Sequence, residues 1–196
     1  MIYEALQIIS EQLNNYLSAA GLNNLVTLDN VGMVETSSEN TDRLENKVII
    51  TLINLEEEPT LKNLQHYKVV DKLTTEYRHP PVNVNVYFMV SGNCTSYTDS
   101  LRAVSKTIEF FQGKNIFTSE NTVYEEKEDF DVLDSFKLIV QQYSASFEQL
   151  NHIWGTLGGR QLPSVIYKIQ LIKIDQKLLQ GTEKVILQVT DSLKFK

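Results

Sequence analysis

The chain is poor in the residues that carry chemistry or cross-links. Cys94 is its only cysteine, so no disulfide can close within it, and a lone thiol fits a reducing site of synthesis. Histidine occurs only at His66, His79 and His152, and none has a second ligand-type residue at metal spacing, so no metal site is expected. No apolar run approaches the ~20 residues that a membrane span needs. The start, Met1-Ile2-Tyr3-Glu4-Ala5-Leu6, has no basic segment and carries an early acid, unlike a secretory leader. Basic residues are outnumbered, 18 against 25 acidic ones, for a net charge of -7. Phosphate neutralisation needs a basic surface, so bulk nucleic-acid binding is not expected.

What remains is an ordinary globular composition, 42% hydrophobic and 22% charged over 196 residues. That length predicts one domain, 1–196, able to bury about 70% of the surface its unfolded form exposes. Ile2, Leu6, Ile9, Leu13 and Leu17 recur at helical spacing, and Gly21 follows as a C-terminal cap. Val48 to Leu55 reads as a buried strand, ended by Glu56-Glu57-Glu58-Pro59. The polar stretch from Glu35 to Asn46 reads as a loop. Residues from Pro59 to His79 fit either a hairpin arm or a loop.

Pro80-Pro81 introduces an alternating strand, with Val82, Val84, Val86, Phe88 and Val90 on one face. Ser91-Gly92-Asn93 reads as a turn, and Ser96 with Asp99 as a capping box. Leu101, Val104, Ile108 and Phe111 predict the buried face of a helix ended by Gly113. Phe136 to Tyr143 reads as a strand. Ser146 to Gln149 is a second capping box, opening a helix with Phe147, Leu150, Ile153, Trp154 and Leu157 inward and Gly158-Gly159 at its end. Val165 to Ile174 is a long strand, with Val185 to Val189 as its hairpin partner across Gly181. The order predicts an α+β fold: a mixed or mostly antiparallel sheet packed by about three helices.

Catalytic sets are not apparent. Gly155 to Arg160 is glycine-rich but lacks the lysine ending of a phosphate loop and follows a helix. Cys94, at a strand-to-helix junction, and His152, on a helix, are the two residues a nucleophile or base could use, and neither has a partner legible in the sequence. Trp154 and the Phe110-Phe111 pair fit core packing or a subunit interface. The acidic run around Glu125, Glu126, Glu128 and Asp129 fits a solvated loop, or a surface that meets a basic partner.

Three blocks carry a family resemblance. They are Pro80-Pro81-Val82-Asn83-Val84-Asn85-Val86-Tyr87-Phe88-Met89, then Ile108-Glu109-Phe110-Phe111-Gln112-Gly113-Lys114-Asn115-Ile116-Phe117-Thr118, and a third that begins Leu150-Asn151-His152-Ile153-Trp154-Gly155-Thr156-Leu157-Gly158-Gly159. The third runs on into Leu162-Pro163-Ser164-Val165-Ile166-Tyr167-Lys168. Together they resemble the cap or tail-terminator proteins of extracellular contractile injection systems, of the Photorhabdus-virulence-cassette and antifeeding-prophage type.

The resemblance implies a phage-tail-terminator-like fold and a structural, non-enzymatic role. It also implies a homo-oligomeric ring, a hexamer, against the last inner-tube ring and the last sheath ring, with no cofactor and no membrane insertion. Such a protein is made in the bacterial cytoplasm and joins a particle that can be released. The sheet edges and the loops at 56–79 and 119–134 are the expected partner contacts. The alternative is a small ligand-binding domain or enzyme built on Cys94 or His152, which needs a pocket joining one of them to further polar groups.

Overall fold

A computed structural model describes residues 1–22, 26–34, 38–58, 67–69, 74–78, 82–124, 136–174 and 179–184. They belong to two compact units, 1–57 with 84–172, and 58–83 with 173–196. In chain order the elements are α1 (Ile2–Ala19), β1 (Val26–Leu28), α2 (Ser38–Leu44), β2 (Lys47–Glu57), β3 (Tyr67–Val69), β4 (Thr74–Arg78) and β5 (Val82–Asn93). There follow α3 (Tyr97–Gly113), β6 (Ile116–Thr118), β7 (Lys137–Tyr143), α4 (Phe147–Thr156), β8 (Ser164–Ile174) and β9 (Leu179–Lys184). The fold is α+β, with a mixed sheet, as the element order predicts.

The larger unit is built on a six-stranded sheet of order β1-β2-β5-β8-β7-β6. β1 runs parallel to β2, whereas β2 with β5, β6 with β7 and β7 with β8 are antiparallel. Alternation along β5 sends Val84, Val86, Phe88 and Val90 to one face, where they meet Leu6, Ile9, Leu13 and Leu17 of α1 and Phe110 and Phe111 of α3. The rings of Phe111 and Tyr167 lie 4.3 Å apart there, and those of Phe110 and Phe111 4.9 Å. Met89 points to the other face, into a smaller core with Val31, Val34, Leu44, Ile49, Trp154 and Ile166.

Helix ends follow local chemistry. α1 ends in a Schellman motif: Gly21 has φ +79, its N–H donates to the Ser18 carbonyl, and Leu22 N–H donates to the Leu17 carbonyl at 3.0 Å. α4 opens with the expected capping box, Ser146 Oγ accepting from Gln149 N–H while the Gln149 side chain accepts from Ser146 N–H. It closes at Gly158, φ +100, with Gly159 N–H donating to the Trp154 carbonyl.

Several expectations are corrected. Ser91-Gly92-Asn93 is not a turn but the end of β5, paired with β2 as Gly92↔Val48. Gly92 is needed for closeness rather than for a bend: a Cβ there would lie 3.0 Å from the Ser100 carbonyl oxygen. Likewise β2 does not stop before Glu56 but continues to Glu57. Residues 38–44 form a short helix inside the expected loop, held by fully buried Leu44, whose carbonyl accepts from Asn93 Nδ2 at 2.8 Å. One apolar anchor in seven residues leaves no periodicity to read.

Ser96 is the N-cap of α3, but its side chain makes no capping bond. The buried face of α3 is Ser100, Ala103, Thr107, Phe110 and Phe111, one position round from the expected stripe. Small residues bring the helix close to the sheet, and Thr107 satisfies its hydroxyl on the Ala103 carbonyl at 2.8 Å. Gly113 ends α3 as its last helical residue, without a left-handed cap.

The smaller unit contains a three-stranded sheet, β3-β4-β9, antiparallel throughout. β3 and β4 form the hairpin arm. Gly181 pairs with Tyr77 inside β9 rather than making a turn. Val185 to Val189 lies outside the described residues.

Candidate functional site

The two residues on which catalysis could have rested are not brought together. Cys94 is half-buried and packs against the core that α1 and α3 cover, with its N–H donating to Ser100 Oγ at 3.2 Å. His152 is exposed on α4, beside the core on the opposite face of the sheet. Among the described residues no cluster of three metal-type ligands occurs.

His152 instead helps to line a groove of about 520 Å³ between α4 and the sheet, with Ile53, Asn54 and Glu56 of β2, Tyr87 of β5, Tyr143 of β7 and Ile166 of β8. Its walls are organised. Tyr87 and Tyr143 meet edge to face with ring centres 5.2 Å apart. The Tyr87 hydroxyl donates to Glu56 Oε2 at 2.7 Å, and Gln149 Nε2 donates to the Tyr143 hydroxyl at 3.3 Å. Lys168 Nζ lies 5.5 Å from the centre of the Tyr87 ring. Ile53, Ile153 and Ile166 give it an apolar lining, beside the polar groups of Asn54, Glu56, Gln149 and His152. This arrangement suits binding of a side chain or peptide; among the described residues that line it, no nucleophile is paired with a base.

The second feature is an apolar stripe in solvent. Tyr97, Leu101 and Ile108 are exposed on α3, Tyr97 by 70%, with half-buried Val104 between the last two. Their spacing of four, three and four puts them on one helix face. Of the stripe expected to be buried, Leu101, Val104, Ile108 and Phe111, only Phe111 is buried; Val104 packs partly on the core and Leu101 and Ile108 stay exposed.

The family-block residues divide. Phe110, Phe111 and Trp154 are buried; Leu150, Leu157, Leu162 and Pro163 are half-buried; Gln112, Gly113, Asn151, His152 and Gly158 are exposed. The Pro163 carbonyl accepts from Gly92 N–H at 2.9 Å, tying the third block to the end of β5. Trp154 packs with Ile166 of β8 in the smaller core, the first of the two placements its size allowed. Phe147 is corrected: it is 93% exposed. It shares a face with Trp154, two turns away, but it begins the helix and the core ends before reaching it. Pro80, Pro81, Glu125, Glu126, Glu128 and Asp129 lie outside the described residues. The Tyr87–Tyr143 groove was not foreseen. Its one sequence signal was a tyrosine on the asparagine-rich face of β5.

Away from the groove, Lys106 Nζ lies 2.7 Å from Glu109 Oε2, and the Tyr16 hydroxyl donates to Glu109 Oε1 at 2.9 Å. Lys106, then Tyr16, hold the Glu109 carboxyl below its usual pKa, and Glu109 in turn raises the Tyr16 phenol and the Lys106 amine. Burial pushes the Tyr167 phenol well up and the Lys114 amine down.

Comparison with known proteins gives a consistent picture. Residues 4–188 match the sequence profile described as the Pvc16 N-terminal domain. The fold superposes on the cryo-EM structure of the sheath/tube terminator of an extracellular contractile injection system, PVC, in its extended state, with TM-score 0.64 and 13% identity. It also superposes on the anti-feeding prophage cap, described as the AFP tube terminating cap, with TM-score 0.60 and 11% identity. These matches cover 100% and 98% of this chain but only 64% and 62% of the solved ones. No curated protein matches the chain in sequence.

Proposed function

This chain belongs to the Pvc16 N-terminal domain family, among the terminators and caps of contractile injection systems, and on that premise we propose that it is a structural cap, without catalysis, that ends an inner tube and anchors the last sheath ring. The observation that carries the reading is the family match over residues 4–188, joined to a fold shared along the whole chain with a sheath/tube terminator. In this reading residues 1–196 act as one capping domain in a homohexameric ring.

The mechanism is interface complementarity. Tube subunits stack as like rings, so each exposed end templates the next. Growth stops when a ring binds that end and presents no equivalent surface on its far side. A closed ring also needs two unlike, mutually complementary surfaces on each subunit. The apolar stripe Tyr97, Leu101 and Ile108 supports one such surface, since apolar groups lined up in solvent gain by being covered. Glu125, Glu126, Glu128 and Asp129 fall in the 119–134 segment, one of the two expected to meet tube or sheath, where carboxylates would meet a basic partner. The protein then works as part of a particle that is assembled in the bacterial cytoplasm and can be released from it.

Deletion of the gene in a particle-producing strain tests this. Electron microscopy should show tubes and sheaths of irregular length and few intact extended particles. Particles of normal length and sheath stability would overturn the terminator reading.

A further inference from the structure

The charges of α3 are gathered on one side of the helix. At about 100° per residue, Asp99, Arg102, Lys106 and Glu109 fall within an arc of about 80°. They pair among themselves, Arg102 Nη1 with Asp99 Oδ1 at 3.3 Å and Lys106 Nζ with Glu109 Oε2 at 2.7 Å. α1 lies toward that side, since Tyr16 meets both Glu109 and Phe110. The stripe of Tyr97, Leu101, Val104 and Ile108 is centred about 150° away. The exposed residues at its margin, Thr98, Ser105 and Gln112, carry no charge. Apolar residues at i, i+4, i+7 and i+11 are the form in which a helix enters an apolar groove. With the charges kept off the stripe, covering it strands no ion.

The groove between α4 and the sheet has the matching chemistry, and it lies on the opposite face of the sheet from α3. Ile53, Ile153 and Ile166 offer apolar surface to a leucine and an isoleucine. The one polar group of the stripe is the Tyr97 hydroxyl, for which Asn54, Gln149 and His152 provide hydrogen-bonding partners. Glu56, the one carboxylate among the described lining residues, accepts from the Tyr87 hydroxyl. Tyr97, at 70% the most exposed of the stripe, is the residue type that most often anchors an interface.

Position and charge decide the occupant. Stripe against stripe, or groove against groove, closes a two-fold pair and stops there. A stripe in the layer on one side of the sheet and a groove on the other side let each copy give to one neighbour and receive from the next. That is the heterologous contact from which a ring is closed. Copies of net charge -7 repel wherever like charges face each other, and this contact sets none of the charges of α3 against another copy. We propose that the α3 stripe of one copy docks in the groove between α4 and the sheet of the next copy of this chain.

The inference rests on the ring of the capping reading, and its test is separate: the deletion strain reads capping, whereas the purified chain reads this contact. Two double variants divide the surfaces. Tyr97→Ser with Leu101→Ser removes the stripe and keeps the groove. Gln149→Glu with His152→Glu places two carboxylates in the groove and keeps the stripe; both positions are exposed on α4, and glutamate at 149 also serves the capping box. Each variant alone should self-associate about tenfold more weakly than the parent, or less still, in sedimentation equilibrium. Mixed in equal amounts, the two should form a pair of chains and nothing larger, because only one intact stripe and one intact groove can meet. On the unaltered, isotope-labelled protein, raising the concentration should shift the amide signals of residues 97–108 and 149–153 together, a reading that does not depend on how the variants fold. The proposal is overturned by a mixture that stays monomeric while both variants keep the parent's circular dichroism, or by shifts confined to one of the two segments. It is equally overturned by a parent that stays monomeric up to about 1 mM, where even a weak contact is populated.

Discussion

Replacing Trp154 with alanine and, separately, with phenylalanine isolates two contributions of one side chain. The indole is only 4% exposed, among Val31, Val34, Leu44, Ile49, Met89 and Ile166. Removing it leaves a cavity that surrounding elements cannot close, and Trp154→Ala should cost about 3–5 kcal/mol. Its Nε1, however, is buried without a hydrogen-bond partner among the described residues. Phenylalanine sacrifices roughly 50 Å² of buried apolar surface, worth about 1.3 kcal/mol at the usual coefficient, plus a small void. It also removes an unpaired donor whose burial costs about 1–3 kcal/mol. The two effects nearly cancel, so Trp154→Phe should fall within about 1 kcal/mol of the parent. Urea unfolding followed by far-ultraviolet circular dichroism measures both; fluorescence cannot, because Trp154 is the only tryptophan. A Trp154→Phe loss above about 2.5 kcal/mol would refute the reasoning, since it would mean that the indole N–H is satisfied in solution.

Gly92→Ala should destabilise by about 1–3 kcal/mol through overpacking, and adding Ser100→Gly should not restore it, because the closest atoms are Ser100 backbone; normal melting of the single variant would refute the close approach. Tyr97→Ser with Leu101→Ser should change monomer melting little, by about 1 kcal/mol or less, while abolishing ring formation in light scattering; normal assembly would remove this face of α3 from the interface. Glu109, its pKa depressed by Lys106 and Tyr16, contributes stability that is present above the ordinary carboxylate pKa and lost as pH falls through the depressed one. Carboxyl carbon NMR should show this low titration and its partial recovery in Lys106→Ala; a normal titration in the parent would contradict the contact.

Local grammar is legible wherever a residue's partners are its own chain neighbours. The stripe of α1, the alternation of β5, the Ser146–Gln149 capping box and the glycine ends of α1 and α4 each depend on spacings of two to five residues, and each appears in the structure. The family's blocks were likewise readable, and with them the kind of fold.

Tertiary structure decided how far each element extends and which of its faces is covered. Periodicity on α3 marks an apolar stripe at Leu101, Val104 and Ile108, but the helix turns its small residues to the sheet, since a close backbone approach buries more than a larger side chain held farther away. Phe147 lies on the buried face by angle and in solvent by position, because a helical period carries no information about where the opposing layer ends. Gly92 looked like a turn, since a glycine that admits a neighbouring helix is identical in sequence to one that admits a bend. The groove joins Glu56 and Tyr87 to Tyr143 and His152 from four separate elements. It has no local signature, because it depends on which strands become neighbours in the sheet.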